Sequence, residues 1–163
     1  MKNNDIKPFK IRLVHKNDIL ILSEIFSKVF TEADIKKPWD KDNSYKHLMY
    51  WLKIQPDMFF GAFKDNKPIG AIAVNIKPWR TGMRCCAGII FVDSQYKKQK
   101  IAKFLFKKIL EKAVGKYKAM SFEAVTFAGK DFPLNWYERV GLVSDKNTVL
   151  IKGDCLDILK NLF

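Results

Sequence analysis

The residues whose types and spacing could do chemistry stand in the run FVDSQYKKQKIAKFLFKKIL, from Phe91 to Leu110. A short apolar strand gives way to a helix, and Lys97, Lys98 and Lys100 crowd the junction. A helix N-terminus already carries a partial positive charge and leaves about four backbone N–H groups unbonded. Folding alone would favour Asp, Ser or Thr there. None stands close enough to Ile101 to cap the helix well, and Ser94 lies too far upstream. Open N–H groups, a positive dipole and three lysines on one strand-to-helix turn make an anion site suited to phosphate.

Other reactive side chains are sparse. Cys85 and Cys86 are adjacent, so on a strand they point to opposite faces, and Cys155 stands alone. There is no CxxC pair, and His15 and His47 are far apart, so no metal site is expected. The thiols are expected to be reduced and to pack. Lys and Arg number 30 against 17 Asp and Glu, a net charge of +13 that attracts polyanions or anionic cofactors. Lys heavily outnumbers Arg, and Lys is the less specific partner for phosphate.

The elements that must position these residues follow from periodicity. Apolar residues make up 48% of the chain, which excludes wholesale disorder. No apolar run approaches the ~20 residues that span a bilayer. The N-terminal MKNNDIKPFKIR lacks a signal-peptide core, so a cytoplasmic location is expected. FKIRLVH alternates as a first strand, and Asn17 or Asp18 could cap a helix through ILILSEIFSKVF. Ser44 is expected to cap a second helix, YKHLMYWLKI, which Pro56 ends. MFFGAFK and PIGAIAVNI flank DNK as a hairpin; PWRTGMR makes the next turn, with Gly82 free to take positive φ. CCAGIIFV reads as a strand buried on both faces. From Ile101 to Tyr117 the apolar residues form one broad helical face, with Phe104 left among the lysines. SFEAVTFAG, the short helix PLNWYERV stopped by Gly141, the strand NTVLIKG and a helical tail complete the chain. The helix after CCAGIIFV has crossover length, so CCAGIIFV and SFEAVTF should run parallel. The result is one α/β domain over residues 1–163 with a mixed sheet.

The segment IIFVDSQYKKQKIAKFLF resembles the acetyl-CoA-binding segment of the GNAT acetyltransferase superfamily. In that pattern a strand ending in Val leads to an aromatic residue, a basic cluster and (Arg or Gln)-x-x-Gly-x-(Gly or Ala) at the start of the main helix. Val92, Tyr96, Lys97, Ile101, Ala102 and Leu105 fall in matching places. NWYERVGL is similar to the family's aromatic-Tyr-Glu-x-x-Gly-Phe ending. The spacing of the two segments and the order of elements also fit, so the similarity covers most of the chain, from about Ile11 to Ile151. Lys100 stands where the family usually has Gly, and Lys97 replaces the usual Arg or Gln.

The resemblance implies a single-domain GNAT-like fold, its mostly antiparallel sheet splayed at the fourth and fifth strands and flanked by helices. It implies acetyl transfer from acetyl-CoA to a primary amine, on a small molecule or a peptide, by direct attack in a ternary complex. Backbone groups of Ile90, Phe91 and Val92 would pair with the pantetheine arm. N–H groups from Lys98 through Gln99, Lys100, Ile101 and Ala102 to Lys103 would wrap the pyrophosphate. Tyr137 matches the family's general-acid tyrosine. CCAGIIFV carries no carboxylate, so Glu123 on the next strand is the first candidate base and Asp93 the second, with a water chain as the alternative. Glu32, Asp34, Asp40 and Asp42 lie in the region that borders the acceptor site in this family; Trp39 and Trp51 could line it or simply pack. A silent CoA-binding domain and a basic nucleic-acid-binding module are the competing readings. The second lacks the exposed aromatic or Arg series suited to stacking or base readout. Leu159, Leu162 and Phe163 in the tail would either pack against a neighbour, as in a homodimer, or cover the sheet edge.

Overall fold

A computed structural model describes residues 9–32, 38–127 and 131–161. Its strands are β1 (Lys10–Leu13), β2 (Phe59–Lys64), β3 (Lys67–Trp79), β4 (Gly82–Val92) and β5 (Ala119–Phe122). Its helices are α1 (Ile19–Glu32), α2 (Lys41–Ile54), α3 (Ile101–Tyr117), α4 (Asp131–Arg139) and α5 (Cys155–Asn161). The strands form one sheet in chain order, antiparallel from β1 to β4, with β5 parallel to β4. This is the mixed, mostly antiparallel α/β sheet that was expected, and α3 supplies the crossover that a parallel step requires. Met1–Val125 forms one compact unit, holding the sheet and α1 to α3. Thr126–Phe163 forms a second, holding α4 and α5. Among the described residues no helix is long and apolar enough to cross a membrane.

Turn chemistry sets the hairpins. Asp65 and Asn66, at φ 48° and 63°, make a two-residue turn between β2 and β3 whose left-handed residues match the twist of the strands. Gly82, at φ 117°, begins β4 directly after Arg80 and Thr81. Pro56 follows the C-cap of α2, as expected.

The cap of α2 differs from the expectation. Asp40 is the N-cap, its carboxylate accepting from Asn43 N at 2.7 Å. Ser44 lies a turn further in, buried, with its hydroxyl donating to the Asp40 carbonyl. Asp40 comes first in the chain and has the extended backbone that a cap needs, so the helix starts there.

The core has two layers. On one face of the sheet Leu22, Phe26 and Leu48 of α1 and α2 pack on Phe59, Ala71, Ala73 and Phe91. Phe60, next to Phe59, points the other way and lies under Lys112 of α3. Ile101, Leu105, Phe106, Ile109 and Ala113 form the buried stripe of α3, and Phe106 meets Phe122 of β5 edge to face. Phe104, the apolar residue among the lysines, has its ring 5.8 Å from that of Phe9.

Two strands differ from the sequence pattern. SFEAVTFAG was expected to be extended throughout, but β5 ends at Phe122. Asn147–Gly153 forms no strand, and Val149, Leu150 and Ile151 are exposed. Alternation supplies a preference, but a strand exists only in a ladder, and within the second unit no described segment offers one. Of the apolar tail, Leu159 is exposed and Leu162 and Phe163 lie outside the described residues.

Candidate functional site

The site begins with an irregularity in β4. β3 pairs Ala73 with Ile89 and then Asn75 with Cys86. One residue of β3 therefore opposes two of β4, which is a β-bulge at positions 87 and 88. A Cβ at Gly88 would lie 1.4 Å from the Ala73 carbonyl oxygen, so only glycine allows this approach. The β4–β5 ladder runs from Met83–Ala119 to Cys85–Phe122, and Glu123 N adds a last bond to the Cys85 carbonyl at 3.0 Å. Past that bond no described strand pairs with the β5-facing edge of β4. Ile90, Phe91 and Val92 lie on this stretch, still paired to β3. The sheet thus parts between its fourth and fifth strands. Phe91 anchors the free stretch with its ring edge-on to Phe26, 5.3 Å between centroids.

The open stretch of β4 leads into the lysine turn. Asp93 caps a short 3-10 turn by accepting from Gln95 N and pairs with Lys28 at 3.6 Å. Lys98 and Lys100 both hold left-handed backbone, φ 64° and 61°, and Lys100 is the N-cap of α3 with no side-chain capping bond. The backbone at position 100 therefore keeps the conformation glycine adopts most readily, although the residue is lysine. Lys97, Lys98, Gln99, Lys100 and Lys103 are exposed, and Ile101 is buried. Glu32, at the end of α1, pairs with Lys97 at 3.7 Å and accepts from Ser94 at 3.1 Å. The first N–H groups of α3, among them those of Ala102 and Lys103, therefore face a turn rich in cations. An elongated phosphate-bearing molecule fits these residues: anion at the helix start, backbone partners along β4.

The acidic candidates are distributed as follows. Asp40 caps α2, Asp42 pairs with Lys46, and Asp34 lies outside the described residues. Trp39 and Trp51 pack around His47, whose Nε2 accepts from Trp51 Nε1 at 3.2 Å; burial lowers the His47 pKa. Glu123 follows β5 directly. Its Oε2 accepts from Arg84 Nη1 at 2.7 Å and its Oε1 is 3.4 Å from Lys77 Nζ. Burial alone would raise its pKa, but bonds from Arg84 and Cys86 and the charges of Lys77 and Arg84 hold the carboxyl below the usual range.

Sequence reasoning missed this cluster. Ala71 and Ala73 face α1 and α2, so by alternation Asn75, Lys77 and Trp79 share that face. The register pairs Lys77 with Arg84, and Arg84 with Ser121. Reading Arg80-Thr81 as a two-residue turn would have predicted the first pairing. Burial pushes the Cys85 thiol, on the other face, up to about 11, and burial also raises Cys86. Among the described residues no three of His, Cys, Asp and Glu gather as metal ligands.

Tyr137 lies on α4, in the second unit. It is half-buried with its ring against Trp136, and burial raises its phenol above the ordinary value. Val140 N and Leu142 N both donate to its carbonyl, closing the helix before Gly141 at φ 100°.

Comparison with known proteins agrees with this geometry. The chain resembles in fold an integron cassette protein from the mobile metagenome of V. cholerae, with TM-score 0.74 and 16% identity over 95% of this chain and 98% of that one. A ribosomal-protein-alanine N-acetyltransferase from Brucella melitensis biovar Abortus gives TM-score 0.69 and 18% identity over 88% and 99%. The NatC complex bound to Gag peptide and CoA gives TM-score 0.67 and 22% identity over 85% and 86%. No match was found among curated proteins. These likenesses establish the fold. The profile described as the acetyltransferase (GNAT) family matches residues 20–142, and with that match across most of the sheet and helices the chain belongs to the GNAT acetyltransferase family.

Proposed function

We infer that the protein is an acetyl-CoA-dependent N-acetyltransferase acting on a primary amine. The observation that carries this reading is the parting of β4 from β5 beside an uncapped, lysine-lined start of α3. Backbone groups of Ile90, Phe91 and Val92 would hold the pantetheine arm in the manner of an added strand. The N–H groups from Lys98 to Lys103 would hold the pyrophosphate. Acetyl-CoA supplies a thioester acetyl group activated towards an amine. A CoA-bound relative among the solved structures supports that choice of donor.

The chain's own groups handle protons. As the amine nitrogen bonds to the acetyl carbon, the carbon–sulfur bond breaks and the thiolate needs a proton. Tyr137 Oη donates it; a phenol whose pKa is raised by burial stays protonated until then. Glu123 is a weak base, because Arg84 and Lys77 favour its ionised form. In this reading it accepts a hydrogen bond from the acceptor amine while water carries the proton away. That ion-paired Glu123 also favours the second reading, a silent CoA-binding domain.

Calorimetric titration with acetyl-CoA tests the donor site, and an amine panel monitored for free thiol tests turnover. Micromolar binding, about 8 kcal/mol, with transfer to at least one amine is the expected outcome. Binding without transfer to any amine would select the silent domain, and failure to bind would overturn both.

A further inference from the structure

Resting on the reading just given, we propose that the acceptor carries a carboxylate near its amine and that Arg84, helped by Lys77, binds it. Three observations lead there. The guanidinium of Arg84 is fixed on several sides: Nε donates to Ser121 Oγ at 3.2 Å, Nη1 donates to Glu123 at 2.7 Å, and the carbon at its centre lies 4.4 Å from the centre of the Trp79 ring. Its Nη2 donates to no protein group among the described residues. A rigid guanidinium with one edge open is a preorganised receptor for a planar anion.

The charge balance points the same way. Lys77 and Arg84 share one carboxylate, that of Glu123, so the cluster keeps an excess positive charge. Only 21% of the Arg84 side chain is exposed, so water screens that excess less than on an open surface. The third observation is position. Glu123 makes the last bond between β4 and the chain after β5, which sets the cluster where the pairing ends and the unpaired edge of β4 begins. A carboxylate on Arg84 places a nearby amine towards Glu123 and that unpaired edge. Two cations there also favour the neutral, nucleophilic form of that amine. No group is transferred in this step; it is recognition alone.

Matched pairs test it: an α-amino acid against its α-amide, and peptide amides that begin with Asp or with Asn. The free amino acids and the acidic peptides distinguish the two sources of the same chemistry. Each is assayed for transfer from acetyl-CoA and, independently, titrated calorimetrically into CoA-loaded protein. The carboxylate member of a pair is expected to win by about ten- to a hundredfold, the ratio of one charge-assisted hydrogen bond. Arg84→Gln and Lys77→Gln should each shrink that ratio, and Arg84→Lys should restore part of it. Glu123→Gln, which releases Nη1, should tighten carboxylate binding in the titration. Lys77 is a surface residue, so its variant keeps the test valid if Arg84→Gln fails to fold.

Equal use of acids and amides, or a preference that survives both Gln substitutions, overturns the proposal while leaving acetyl transfer intact. Arg84-dependent carboxylate binding without transfer to any amine would instead sustain the anion site and reject the enzymatic reading.

Discussion

Lys100 holds φ 61° directly ahead of α3, in a region that costs a non-glycine residue about 1 kcal/mol. Lys100→Gly is therefore expected to stabilise the protein by roughly 1 kcal/mol in urea unfolding. An unchanged midpoint would mean that the lysine side chain offsets its own strain. Measured on the same variant, acetyl-CoA affinity separates the value of the charge from that of the backbone shape. At Tyr137 the acid role predicts a different signature. Tyr137→Phe should lower turnover by about 10²-fold or more, with little change in acetyl-CoA binding by calorimetry. Near-normal turnover would assign Tyr137 to packing.

At the scale of elements, the bulge in β4 lies directly past its last bond to Glu123 beyond β5. Gly88→Ala forces a methyl group onto the Ala73 carbonyl, and should cost about 2 kcal/mol or more. If unfolding midpoints did not move, the bulge would not be the feature that requires glycine. The start of β2 is tied to the end of α3 by Asp57, which accepts from Lys116 and Tyr117, each at 2.7 Å, with Lys112 at 3.5 Å. Burial alone would raise the Asp57 carboxyl, but these bonds and charges outweigh it and hold its pKa below the ordinary value. The folded protein thus binds this proton less readily than the unfolded chain. The stabilising contribution is complete above the ordinary carboxylate pKa and is lost as pH falls through it towards the folded value. Asp57→Asn should lower stability near neutral pH and flatten the fall in urea midpoint between about pH 5 and pH 2. An acid limb as steep as the parent's would place the titration elsewhere.

At the scale of the whole molecule, the charge of +13 attracts polyanions in general. A DNA oligomer is expected to bind weakly and to lose affinity steeply from 50 to 200 mM salt, in the roughly log-linear way of counterion release. Acetyl-CoA, held also by backbone groups and an arm along β4, should lose much less. DNA binding that survived salt, together with failure of acetyl-CoA to bind, would make the basic face the working surface.

Local information carries far in this chain. The apolar stripe of α3, the positive φ of Gly82 and the Pro56 stop of α2 each depend on residues within a few positions, so periodicity and turn chemistry reveal them. The anion-ready lysine turn is legible for the same reason, since strand, turn and helix start lie within a dozen residues. The choice between Ser44 and Asp40 as cap was not, because both residue types suit a cap and the start of α2 decided between them. Tertiary structure also decided where β5 ends and where the sheet parts, because a ladder is a property of two strands. It alone brought Lys77, Arg84 and Glu123 together: Arg84 and Glu123 are 39 positions apart, and only the register of β3, β4 and β5 sets their side chains on one face.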